Sequence, residues 1–254
     1  MRILNRLLAV ATLLAANTHS FAQNYQAQYD TANYVMTDRQ VSNFSKIHIQ
    51  GPFDVYVTQG TTESVKLNAP AEILDRMVTT VNGSTLSIHN KHDNWSNGFK
   101  SWYSDKSWWH THKRISVYIT ANNINGIKVS GSGRIFLTTP VSAASLKLIM
   151  HGSGQINGKV DVTTLKSHMS GSAHIALSGV AKTSTIKISG SGRFSARDLV
   201  TLSSKIHVSG SGHADINASN EVDAVVHGSA YVGYTGSPKM ISTSKSGSGV
   251  VSRL

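Results

Sequence analysis

Seven times in its C-terminal half the chain returns to a Gly-Ser-Gly or Gly-Ser-Ala triplet. The triplets begin at Gly131, Gly152, Gly171, Gly190, Gly210, Gly228 and Gly247, at intervals of 21, 19, 19, 20, 18 and 19 residues. A flexible linker would lack ordered apolar flanks, and a phosphate-cradling loop would not be needed seven times. A period of about 20 residues instead means one structural unit per repeat, stacked as a solenoid. Apolar residues recur at every second position around each triplet, as in Ile127, Val129, Ile135 and Leu137, or Ile206, Val208, Ala214 and Ile216. Period-two patterning rich in β-branched residues is strand, not helix. The expected fold class is all-β, a right-handed parallel β-helix-like solenoid. Its seven or so coils, ~4.8 Å apart, would span roughly 34 Å.

Counted in the same phase, both glycines of each triplet point inward, where only Gly, or Ala at 173 and 230, is accepted. The middle serine then points outward in every copy, from Ser132 to Ser248. Hydroxyls bonding one another or water account for such a ladder. A catalytic serine needs an activating base at hydrogen-bond distance, and nothing singles out one rung.

Upstream, "NFSKIHIQGPFDVYVTQG" at 43–60 carries Gly51-Pro52-Phe53 where a coil would hold its triplet, and reads as a degenerate first coil. Phe44, Ile47, Gly51, Phe53, Asp54, Val55, Gln59 and Gly60, followed by the tandem "VSGSG" units, resemble the head GIN domain family of auto-transporter adhesins. The resemblance covers roughly residues 40–254. It implies an exported, β-helical, non-enzymatic protein of surface or adhesion type. The family brings no catalytic or binding residues to carry over, and a fold does not by itself fix a function.

The N-terminus reads as an export signal. Arg2 and Arg6 precede an apolar stretch at 7–16 that is too short to span a bilayer, and Ser20-Phe21-Ala22 offers a cleavage site after Ala22. The organisation expected is a signal peptide at 1–22, a polar arm at 23–42 and a head GIN-type β-helix domain at 43–254. Within the domain, 89–114 is an insertion and 126–254 holds the regular coils. The part before the insertion should join the solenoid and cap its end, with one short helical turn within 71–81. No capping signal marks the C-terminal end, which is left bare or open to a protein partner. No cysteine is present, so disulfides, thiolate metal sites and a lipobox anchor are excluded. The chain is expected in the periplasm or at the cell surface, not across a membrane.

The insertion gathers all four tryptophans, Trp95, Trp102, Trp108 and Trp109, with Tyr103. Flat apolar rings with polar handles suit sugar rings or a lipid interface; they could equally fold back over the solenoid flank. His89, His92, Asp93, His110 and His112 match no strong metal motif, and neither metal nor cofactor is assigned.

The chain holds 24 Lys and Arg against 13 Asp and Glu, which favours anionic partners. Three residues before the first glycines stand Lys128, His168, Lys187 and His207; three after stand Arg134, His174, Arg193 and His213. Read as one face, these form a basic strip able to bind an anionic glycan or lipopolysaccharide, or simply to protect an edge and aid solubility. The candidate ligand-binding residues are therefore Trp95, Trp102, Tyr103, Trp108, Trp109, Lys128, Arg134, Lys187 and Arg193. Nucleic acid is disfavoured for an exported chain. The solenoid acids Asp161, Asp198, Asp215, Glu221 and Asp223 share no row, so the paired carboxylates of polysaccharide-cleaving enzymes are missing. The reading is a binding protein for an anionic or carbohydrate envelope component. A scaffold with protein partners stands second, and a polysaccharide-active enzyme third.

Overall fold

The structure, a computed structural model, describes residues 34–91 and 114–254. Strands β1 (Tyr34–Arg39), β2 (Lys46–Gln50), β3 (Asp54–Gln59) and β4 (Ser64–Pro70) lead to a single helical turn, α1 (Ala71–Leu74). β5 (Met77–Asn82), β6 (Thr85–Asn90) and β7 (Ser116–Ala121) follow. The short helical turn expected within 71–81 occupies only the first four of those residues. Val78, Thr79, Thr80 and Val81 are β-branched and pair antiparallel with β6 instead.

The repeats then build a parallel β-solenoid. β8 (Gly126–Gly131) and β9 (Arg134–Leu137) form the first regular coil, followed by β10 (Val141–Gly152), β11 (Gln155–Gly171), β12 (His174–Gly190), β13 (Arg193–Gly210) and β14 (His213–Gly228). The last coil comprises β15 (Tyr231–Thr235), β16 (Met240–Ser246) and β17 (Val250–Arg253). Gly131, Gly152, Gly171, Gly190, Gly210 and Gly228 lie in register from coil to coil. Inward side chains therefore stack like on like. Val55, Ile135, Ile156, Ile175, Phe194, Ala214 and Val232 make one continuous buried ladder, in which the bulk of Phe194 is met by small Ala214.

The triplet is the corner of each coil. Its second residue pair is as expected: Gly133, Gly154 and Ala173 are buried, and the middle serines are exposed. The first glycine differs from expectation, being exposed rather than inward. It carries the positive φ that turns the strand, +118° at Gly152 and +95° at Gly171. A residue without a side chain leaves no mark of which way it faces, so the period-two count ran straight through the corner. From Gly131 to Gly210 the carbonyl of each first glycine accepts the N–H of the next coil's serine, as in Ser172 N–H to Gly152 O at 3.0 Å. A Cβ on Gly171 would lie 2.5 Å from that same oxygen. Glycine is thus required twice over, by φ and by the carbonyl stacked beneath it.

The Gly51-Pro52-Phe53 segment is a coil, as expected, but not the end one. β2 lies between β6 and β8, and β3 between β7 and β9, all parallel. Beyond β6 and β7 the parallel stack stops, because β5 and β4 pair with them antiparallel and β1 pairs antiparallel with β4. Ile73, Leu74 and Met77 are buried at this end. The expected N-terminal cap is therefore present. At the other end, among the described residues, β16 pairs only with β14 and β17 only with β15, so no described strand covers their outer edges.

Candidate binding face

The strand segment before each corner belongs to one parallel sheet in the spatial order β6, β2, β8, β10, β11, β12, β13, β14, β16. Alternation sends three rows outward from it. The row nearest the corner runs Gln50, Ser130, His151, Ser170, Ser189, Ser209 and His227. Two residues further back, His48, Lys128, Ile149, His168, Lys187 and His207 are in register. Two further still lie Lys46, Gly126, Lys147, Lys166, Thr185 and Lys205. The first acid in these rows is Asp223 in the β14 coil, which pairs with Lys205 at 2.9 Å. The other five lysines make no ion pair with a carboxylate among the described residues.

The field of this face is visible in its histidines. Burial, then Lys128, His89 and His151, push the His48 imidazole down to about 4. His168 is lowered by burial and by His151, Lys187 and Lys147. Both imidazoles are therefore neutral at pH 7, and their nitrogens are available as hydrogen-bonding groups rather than charges. Lys205 is raised by its hydrogen bond to Asp223.

The face after the corner is built differently. Its first row runs Asp54, Arg134, Gln155, His174, Arg193, His213 and Tyr231. Arg134 Nε and Nη2 donate to the two oxygens of Asp54 at 2.7 and 2.6 Å, a bidentate pair that raises the guanidinium's pKa. Buried Asp215 is satisfied by Arg197 Nε at 3.2 Å and His213 Nε2 at 2.9 Å. Arg197 gains that reach because the β12–β13 register shifts between Ala176 and Gly179, giving its coil an extra residue. The next row opens with a stack of aromatic rings, Tyr118, Tyr56 and Phe136, with centroids 5.1 and 5.3 Å apart. On the third side Val180, Val200 and Leu202 are exposed beside an open groove of about 490 Å³.

Among the residues expected to bind, Lys128 and Lys187 stand in one row of the lysine-bearing sheet. Arg134 and Arg193 stand beyond the corner on a separate strand segment, so the single strip read from the sequence is two rows. The glycine corner divides them, and Arg134 is neutralised by Asp54. Trp95, Trp102, Tyr103, Trp108 and Trp109 lie outside the described residues. Sequence reading missed Lys46, Lys147, Lys166 and Lys205. They sit five residues before the corner glycine or its equivalent, and counting two more steps along the strand would have found them. No acidic row forms, in line with the sequence: Asp215 and Asp223 are each spent on basic neighbours.

Solved structures share this architecture. A crystal structure called a "putative adhesin" from Bacteroides fragilis matches 87% of this chain and 97% of its own, at 23% identity and TM-score 0.75. A "putative adhesin" from Parabacteroides distasonis matches with TM-score 0.69 and 18% identity, covering 88% of this chain and 98% of its own. A "putative lipid binding protein" from the same species matches 87% of this chain and 97% of its own, at 20% identity and TM-score 0.66. At these identities the likeness is one of fold. No curated protein matches the sequence. The family model described as "putative auto-transporter adhesin, head GIN domain" matches residues 43–238, and the chain belongs to that family.

Proposed function

We propose that the chain is an exported, non-enzymatic, adhesin-type protein that binds an anionic component of the cell envelope on its lysine-bearing sheet. The observation that carries this reading is a sheet face with a lysine in each of six neighbouring coils and no acid until Asp223. Charge of one sign on a rigid surface raises local counter-ion concentration and steers association. The leader at 1–22 supplies the export, and 43–254 is the binding domain. The tryptophan-rich segment at 89–114 adds sugar-stacking or lipid contacts. Lipopolysaccharide and acidic glycans both offer anion and sugar together.

The test is titration with lipopolysaccharide and with acidic and neutral glycans at low and high salt, read by calorimetry and tryptophan emission. Binding should be lost at high salt and weakened by K166S/K187S. Salt-independent binding that ignores those substitutions would overturn the proposal.

A second reading rests on the open edges of β16 and β17, where Met240, Ile241 and Val250 are exposed. There the protein would meet a protein partner by strand addition. Sedimentation that changes with concentration and survives high salt would favour it.

A further inference from the structure

Six consecutive coils each place one lysine, and only one, in the two rows that lie three and five residues before the corner. In spatial order these are Lys46, Lys128, Lys147, Lys166, Lys187 and Lys205. Where the lysine is in the outer row, the inner position holds His or Ile. Where it moves to the inner row, at Lys128 and Lys187, the outer position is Gly126 or Thr185. The lysine shifts sideways, but its number per coil stays constant. Strands in a sheet lie ~4.8 Å apart, so the face carries one cation per ~4.8 Å along the solenoid axis for roughly 24 Å. Beside this zigzag runs the corner-side row, whose members are hydroxyls, imidazoles and an amide, such as Gln50, Ser130, His151, Ser170 and Ser189. The face thus pairs a periodic charge with a parallel line of hydrogen-bonding groups.

We infer that the ligand is a linear glycan with one carboxylate per sugar residue, lying along the axis and across the strands, one sugar to a coil. This rests on the lysine-bearing sheet being the binding face, as proposed above. The charge spacing makes the choice. Duplex nucleic acid carries one charge per ~1.7 Å and a single strand one per ~3.4 Å, both denser than the lysines. An extended peptide that is acidic at every residue carries one charge per ~3.4 Å, again denser than the lysines. One sugar ring in an extended chain advances by close to one coil, so the glycan's charge per unit length matches that of the lysines, and the flexible lysine stems reach carboxylates that turn about the chain axis from ring to ring. An ammonium is a compact point charge that needs no planar bidentate partner, which suits a single carboxylate. The sugar hydroxyls, which act as both donors and acceptors, meet the serine and histidine row.

The full chain would be titrated calorimetrically at low salt with 1→4-linked oligogalacturonates of two to ten residues. Affinity should rise about two- to five-fold per added residue, as expected for successive exposed ion pairs. It should level off near five or six residues, because the sixth lysine, Lys205, is already paired with Asp223. The fully methyl-esterified hexamer should bind at least about ten-fold more weakly, and K166S/K187S should abolish the length dependence beyond two or three residues. A hexamer no tighter than the dimer, or an ester equal to the acid, overturns the inference. If polyphosphate binds in a lysine-dependent way while galacturonates show no length dependence, the glycan assignment falls and the lysine face stands. If no polyanion binds in a lysine-dependent way, both fall.

Discussion

Replacing Gly190 by alanine tests the reason for the repeat itself. Gly190 has φ +113°, and an added Cβ would sit 2.7 Å from the carbonyl oxygen of Gly171 and 3.2 Å from its nitrogen. Forcing an L-residue into positive φ costs about 1–2 kcal/mol. Relieving the contact requires moving backbone, because Gly171 O already accepts Ser191 N–H at 3.0 Å and Gly171 is itself stacked on Gly152. Loosening that bond adds about 1 kcal/mol. G190A should therefore cost about 2–3 kcal/mol. Two controls separate the contributions. Gly83 has φ +57° with nothing within 4 Å of its Cβ, so G83A should cost only about 1 kcal/mol, the conformational part alone. Gly192 has no positive φ and occupies the place filled by Ala173 and Ala230 in other coils, so G192A should stay within about 1 kcal/mol. Urea unfolding followed by far-ultraviolet circular dichroism would rank the three. If G190A matched G83A, the stacked carbonyl would carry no weight. If G192A were the worst, the corner would have been assigned to the wrong glycine.

Three further outcomes are expected. F194A removes a fully buried ring between Ile175 and Ala214 and should cost about 3–5 kcal/mol in the same assay; a cost under about 1 kcal/mol would mean that the coil collapses onto the gap. His48, lowered to about 4 in the fold against about 6.5 when unfolded, takes up protons in the unfolded chain first. Its contribution is thus complete above pH 6.5 and is lost as pH falls from 6.5 towards 4, by about 1–3 kcal/mol after allowing for its partial solvation. A pH–stability curve of H48Q that is as steep as the parent's in that window would refute the assignment. D54N breaks the bidentate pair with Arg134 and should cost about 1–2 kcal/mol, while leaving polyanion affinity within about two-fold because Arg134 lies beyond the corner. A large gain in affinity would instead put both sides of the corner in one site.

The repeat, its period, the strand phase and the outward serines were all legible, because stacking in register forces like residues to recur at one offset. The lysine ladder was not. Its members alternate between Lys147 and Lys166 in one row and Lys128 and Lys187 in another, so no single column of the repeat shows a lysine in every coil. It appears only when two columns are known to share one face. The corner hid the division between Lys128 and Arg134 for a related reason: six residues apart on a straight strand would share a face, and on a bent one they do not. The placement of β2 between β6 and β8 had no local signal at all, since parallel pairing of Ile47 with Leu86 and Ile127 leaves no trace in either segment's sequence.

That interleaving governs how the molecule can be assembled. Neighbouring regular coils pair residues 17 to 21 apart, so each can be laid down on the previous one as the chain becomes available. The β2–β3 coil, by contrast, waits for β6 and β7 on one side and for partners 80 residues later on the other, such as Lys46 with Gly126 and Asp54 with Arg134. Closing so long a loop is slow compared with adding a local coil. In any process that delivers the chain from its N-terminus, the coil made first is enclosed only after residue 137 has arrived, and until then it presents at least one unpaired edge to any neighbouring strand. Deletions from the C-terminal side would shorten the solenoid rung by rung, whereas a chain stopped between residues 60 and 84 keeps the β2–β3 strands with neither of their parallel neighbours.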